Sequence, residues 1–218
     1  MSKSAGCMTL FMLLLCGSVR LGAQKPAPSF DADVLTFYKL ADGQVISTTG
    51  HTYRGSDGRT REDTAQGSVI IDPKGRTVTL LTFANKQALV IDLKSVPPPQ
   101  ARNASIPSAT PFGRTILEGH EAAKARSVGP QGEKIEMWTA VDVNAVVFTR
   151  AEAPGMTTTR YLRNIAVREP DPQLFEVPKG YSVTKQSPPP GFDPMKSTGF
   201  PGSAAGRGNV PGVERGGK

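Results

Sequence analysis

The sequence predicts a mainly β chain of consecutive antiparallel hairpins, and three observations carry that reading. Short runs rich in Val, Ile, Thr, Tyr and Phe succeed one another between residues 32 and 167. Turn-forming groups of Gly, Pro, Asn and Asp separate them at close spacing, the pattern that hairpin loops leave in a sequence. No window repeats apolar residues at a helical period; the best, 118–126, is short and contains Gly119.

In chain order, strands are expected at 32–38, 44–54, 59–63, 68–71, 77–83 and 87–93, with Asp42-Gly43, Asp57-Gly58, Asp72-Pro73-Lys74-Gly75 and Asn85-Lys86 turning the chain between them. A Pro-rich stretch without either periodicity, 94–112, follows and reads as a connection between two runs of strands, with a flap over a site as the other reading. Strands resume at 114–118, 122–127, 134–141, 146–152 and 157–167, with Gly129-Pro130-Gln131-Gly132 and Pro154-Gly155 among the turns. The strand-turn-helix units of nucleotide-binding folds, and their glycine-rich phosphate loops, are absent from this pattern.

The two ends differ from the body. Residues 1–23 join Lys3, the apolar run MTLFMLLLC (8–16) and Leu21-Gly22-Ala23 before Gln24, the layout of a secretory signal. The apolar run falls short of the roughly 20 residues that span a bilayer. Cleavage before Gln24 would remove both cysteines, Cys7 and Cys16, and so exclude disulfides and thiolate chemistry. Leu13-Leu14-Leu15 before Cys16 is not the small-residue approach of a lipidation site, and Asn103-Ala104-Ser105 reads as a chance glycosylation match. At the other end, 186–218 holds eight glycines and six prolines and is expected to be a disordered tail, because it cannot bury enough apolar surface to offset ordering.

Composition bounds the partners. Apolar residues make up 38% of the 218, enough for the core of a 24–185 β domain. The formal net charge of +7 falls to +5 once Lys3 and Arg20 leave, and the surplus is scattered rather than tracked along one element. That pattern favours solubility over a nucleic-acid path, so no nucleic-acid partner and, after signal cleavage, no integral membrane segment are expected. The protein partner is left open.

Parity within two strands carries more. In 77–83, Val78 and Leu80 share one face while Leu81 and Phe83 share the other; in 87–93 the faces hold Ala88 and Val90 against Leu89, Ile91 and Leu93. A sheet with one wet face would alternate apolar with polar, so both faces here need cover. Strand 134–141 instead separates Ile135, Met137 and Val141 from Lys134, Glu136 and Trp138, which puts the second face at a rim or in solvent.

No catalytic, cofactor-binding or metal-ligating residue is singled out, no cofactor is expected, and the chain is not expected to be an enzyme. His51 and His120 are not at metal spacing and read as structural, and no Gly-x-Ser-x-Gly elbow presents a serine to either. The pairs Glu62/Asp63 and Glu118/Glu121 read as solvated strand ends. Arg54, Arg59 and Arg61 form the densest basic cluster, read as a charged hairpin before an anion contact, and Trp138 and Tyr161 read as packing before groove lining.

Six strings give the chain a family look: SFDADV (29–34), SDGRTRED (56–63), SVIIDPKGRTVTLLTFANKQALVIDL (68–93), GRTILEGHEAAKARS (113–127), EKIEMWTA (133–140) and PDPQLFEVPKGY (170–181). In these it resembles secreted bacterial proteins of unassigned function grouped with the outer-membrane lipoprotein carriers, the LolA/LolB-like superfamily. The resemblance implies a single strongly curved antiparallel sheet, an open half-barrel around an apolar concave face where carriers hold acyl chains beneath helical lids. This chain departs from the carriers in showing neither a long N-terminal helix nor lid helices. The resulting expectation is a periplasmic or secreted, non-enzymatic protein with an apolar or lipid ligand on the concave face. The alternative is a structural or interaction module of the envelope with a self-filled core. The ligand-lining residues are not assigned by the sequence.

Overall fold

A computed structural model describes residues 27–95, 109–129 and 132–188. The strands are β1 (Phe30–Leu40), β2 (Val45–Arg54), β3 (Thr60–Thr64), β4 (Gly67–Asp72), β5 (Thr77–Thr82), β6 (Gln87–Asp92), β7 (Thr110–Leu117), β8 (His120–Val128), β9 (Lys134–Ala140), β10 (Ala145–Ala153), β11 (Met156–Ala166) and β12 (Ser182–Gln186). They form one sheet in the order β12-β6-β5-β4-β3-β2-β1-β11-β10-β9-β8-β7. All eleven strands expected between 32 and 167 are present, each within a few residues of its expected bounds. The sheet is two meanders, β1 to β6 and β7 to β11, joined by the antiparallel pairing of β1 with β11.

Two boundaries are corrected. Thr110, Pro111 and Phe112 belong to β7 and not to the Pro-rich connection; β7 is an edge strand with one neighbour, where a proline costs no ladder bond. Gln186 closes β12 rather than opening a tail, because the chain there pairs in parallel with β6. The signal segment, 96–108 and the tail from 189 lie outside the described residues.

The registers sort side chains onto two faces. One carries Asp31, Tyr53, Arg61, Ile70, Leu81 and Ala88; the other carries Val34, Gly50, Glu62, Val69, Leu80 and Leu89. After β11 the chain crosses the first face as a strap. Asp171 accepts from the Gln173 amide and so caps a 3-10 turn over Pro172–Phe175, with Pro172 fitting its first position. Phe175, 7% exposed, packs on Ile70, Leu81 and Ala88, with Tyr53, Val177 and Tyr181 around them. The Arg59 guanidinium lies 5.0 Å over the Phe175 ring, and Arg61 donates to the Leu174 carbonyl at 2.7 Å. Ser182 then donates to the Lys86 carbonyl at 2.8 Å and enters β12. The strap is the cover that the strap-facing side of β5 and β6 requires, and it explains why Leu81 is 3% exposed.

The sheet rolls toward the opposite face. Arg160 donates through Nη2 to Glu62 Oε2 at 2.8 Å, both on the face away from the strap. Traced through Arg160↔Thr36 and Ala32↔Thr52↔Glu62, the two residues stand three strands apart and four positions along. On a flat sheet that separates their backbones by about 19 Å, from roughly 4.8 Å per strand and 3.3 Å per residue. Two extended side chains fall short of this, so the sheet must curl to bring them together. The Arg54 side chain, on the same face, crosses to the β9–β10 turn and donates to the carbonyls of Val143 and Asn144. On the strap side, Arg163 of β11 ties to Glu118 in the β7–β8 turn at 3.0 Å. The result is an open trough with the strap outside it.

Removing the strap's anchor tests this arrangement. Phe175→Ala should lower unfolding free energy by about 3 kcal/mol, read as a reduced urea midpoint, because the site over Leu81 and Ala88 cannot collapse without the ring.

Candidate functional site

The trough floor has two zones. Toward β10, β11 and β1 it is lined by aliphatic residues that are buried: Ala32 at 0%, Val34 at 4%, Val147 at 1%, Ala151 at 3% and Leu162 at 3% exposure. The Arg160–Glu62 pair bridges this zone, with side chains only 13% and 18% exposed. Gly50 lies between their strands, and a Cβ there would run into the Asp63 carbonyl, so β2 and β3 approach as only glycine permits. Burial, with Glu62 nearby, pushes the Tyr38 phenol above its ordinary value, against a Thr48 hydrogen bond that favours the phenolate. Thr149, 4% exposed and opposite Arg160 in register, has an Oγ1 with no hydrogen-bond partner.

Toward β4, β5 and β6 the floor is apolar and only half-covered. Val69 is buried, while Ile71, Val78, Leu80, Leu89 and Ile91 are partly exposed. Their registers place them side by side, Val69↔Leu80↔Leu89 and Ile71↔Val78↔Ile91. This is the second apolar face read in the sequence, and parity is now assigned: Leu80 points into the trough and Leu81 under the strap.

The residues singled out in the sequence are engaged in holding the fold. His51 places Nδ1 2.9 Å from Asp33 Oδ1 and Nε2 3.5 Å from Asp31 Oδ1, and its ring lies 4.6 Å from that of Tyr53. His120 Nδ1 sits 2.6 Å from Asp142 Oδ2. Glu62 and Asp63 face opposite sides, Glu62 to Arg160 and Asp63 to Arg61 at 2.6 Å. Glu118 and Glu121 pair separately, with Arg163 and Arg114. The basic cluster is dispersed inward: Arg54 binds main-chain carbonyls, and burial lowers its pKa to about 10, while Arg59 pairs with Asp57 at 2.6 Å. Trp138 and Tyr161 join Phe148 and Phe37 in an aromatic row across four strands on the strap side, Trp138 to Phe148 at 4.2 Å and Phe148 to Tyr161 at 5.1 Å. Trp138 is thus half-buried packing, and β9 lies inside the sheet rather than at its rim, with Lys134 exposed at the start of the strand.

A separate cleft of about 790 Å³ opens on the strap side between the ends of β7 to β10. Its charges largely satisfy one another, Arg126 with Glu136 at 3.3 Å and Arg150 with Glu152 at 2.8 Å. Among the described residues no group of three or more His, Cys, Asp or Glu side chains could hold a metal ion. No helix among them is long and apolar enough to cross a membrane.

No protein-family model and no curated protein matches the sequence. Solved structures do match. A conserved protein of Thermus thermophilus, described as uncharacterized, superposes with a TM-score of 0.53 at 12% identity, over 73% of this chain and 91% of that one. A LolA superfamily protein from Nitrosomonas europaea matches with a TM-score of 0.36 at 10% identity, over 70% and 92%. MucB from the Pseudomonas aeruginosa MucA/MucB complex matches at 0.49 and 17% identity, over 73% of this chain and 59% of MucB. The Thermus match shows a shared fold, here a single open sheet whose pairs are antiparallel except that of β12 with β6. At their lower scores the other two say nothing of ligand or partner.

Two outcomes follow for the polar ties. Glu62→Gln strands the Arg160 charge and should cost about 2 kcal/mol in urea unfolding, whereas a Glu62→Leu, Arg160→Met double variant should be nearly neutral. Hydrogen bonds from Asn164 and then His51 hold the Asp33 carboxyl below its ordinary value of 3.8. A depressed carboxyl stabilises the fold above its unfolded pKa and loses that contribution as pH falls through the folded one. Asp33→Asn should therefore flatten the decline of melting temperature below pH ~4 and leave its slope above pH ~6 unchanged.

Proposed function

We propose that this is an exported, non-enzymatic binding protein of the cell envelope whose trough holds an apolar or lipid ligand. The carrying observation is the half-covered apolar floor of β4 to β6, facing away from the strap. Those side chains lie on the inside of the roll, where a ligand would contact Ile71, Val78, Leu80, Leu89 and Ile91 together. Leaving such a surface wet forfeits about 25 cal/mol per Å² of apolar area, which an acyl chain or similar group would recover. The resemblance of strings such as 29–34, 56–63 and 68–93 to the LolA/LolB-like superfamily supports the reading, as does the secretory layout of residues 1–23.

One observation favours a second reading, an envelope module with a self-filled core. The Arg160–Glu62 bridge and the small residues beneath it close the middle of the trough with the protein's own side chains.

A fluorescent fatty acid distinguishes the two. Saturable binding, displaced by unlabelled lipid, is the expected result; a folded protein that shows none is a self-filled module. Leu80→Glu should reduce probe affinity at least tenfold with a small change in melting temperature, whereas Leu81→Glu should chiefly unfold the protein, because it drives a carboxylate under Phe175.

A further inference from the structure

We infer that the cleft between the ends of β7 to β10 is a second binding site, which takes a carboxylate carried on a short apolar body. It lies on the strap side, apart from the trough, and does not depend on what the trough holds. Register builds its walls from two cross-strand rows, Arg126–Glu136–Arg150 and Val128–Lys134–Glu152. All six residues line the one opening of about 790 Å³, a size that suits a small ligand.

The charges of these rows do not balance. Glu136 is taken on both oxygens, Oε1 by the Trp138 indole at 2.8 Å and Oε2 by Nε and Nη2 of Arg126, each at 3.3 Å. Glu152 stands opposite Lys134 in register but accepts from Arg150 instead, at 2.8 Å. The Lys134 ammonium is left without an ion pair among the described residues. Three cations therefore face two carboxylates that are both engaged, and one positive charge is in surplus.

That surplus selects the occupant. A carboxylate brings the single negative charge that is missing and accepts from ammonium and guanidinium donors together. A phosphate monoester, with nearly two charges, overshoots it. The Arg126 guanidinium is steadied 3.9 Å over the Phe112 ring, while its long, exposed bonds to Glu136 are of the kind that contributes little and exchanges readily. Val128, 53% exposed beside Lys134, and Ile135 give the wall an apolar part for a short hydrocarbon body.

Trp138 makes the test specific. It is the only tryptophan of the chain, its indole N–H is bonded to Glu136, and it stands on the strap side of β9, away from the trough. The indole 1H–15N resonance of the full-length protein is followed at low salt during titration with hexanoate, hexanol and hexyl phosphate. Hexanoate should shift it saturably, hexanol should leave it in place, and hexyl phosphate should bind more weakly than hexanoate. Lys134→Gln and Arg150→Gln, both at exposed positions, should each weaken hexanoate about fivefold at an unchanged melting temperature, and Leu80→Glu in the trough should have no effect. No saturable shift, an equal response to hexanol, tighter binding of hexyl phosphate, or indifference to both Gln variants overturns the cleft site. Loss of the shift in Leu80→Glu alone overturns it too and assigns the signal to the trough.

Discussion

The Arg160–Glu62 ion pair is the constraint on which the shape of the molecule turns. Its partners are 98 residues apart in sequence and meet only because the sheet rolls. The pair does not make the roll by itself. Sheet twist and the small residues Ala32, Val34 and Ala151 permit it, and the pair fixes how far it goes. Thr36 and Thr149 are buried on the same face as the pair although the described residues form a single sheet. The pair spans part of the closed zone of the floor and leaves the apolar flank of β4 to β6 half-covered.

The strap solves a different problem. β5 and β6 are apolar on both sides, and a single sheet can tuck away only the side toward which it bends. The chain covers the outer side with one aromatic ring on a 3-10 turn, pinned by Arg59 and Arg61. The basic cluster, read from the sequence as a charged hairpin before an anion contact, is thereby used up: Arg54 reaches the β9–β10 turn, while Arg59 and Arg61 hold the strap.

Much of the fold was legible because hairpins are written locally. Turn pairs such as Asp57-Gly58 and Pro154-Gly155, together with β-branched runs, locate every strand of the two meanders. What was hidden is non-local. The strap and β12 lack alternation, and a lone Phe175 between prolines carries no period, so only packing reveals them. Parity showed that both faces of 77–83 were apolar, yet which one turned inward depends on where Phe175 docks. The polar tie was hidden for a like reason: Arg160 and Glu62 meet only through the β1–β11 pairing, and nothing in their local strings marks it.

That pairing has a temporal consequence. β1, the first strand of the sheet, finds its second partner in β11, more than a hundred residues later in the chain. Each meander can zip from its own turns as soon as its residues are available, but the seam between them waits for the last long strand. Such distant closure makes folding slow relative to a helical protein of equal size, and until it occurs β1 and β11 each present a bare edge. In a chain that emerges from its N-terminus, β1 is therefore the strand longest in need of protection from mispairing, and completion of β11 is the event that commits the molecule to its native form.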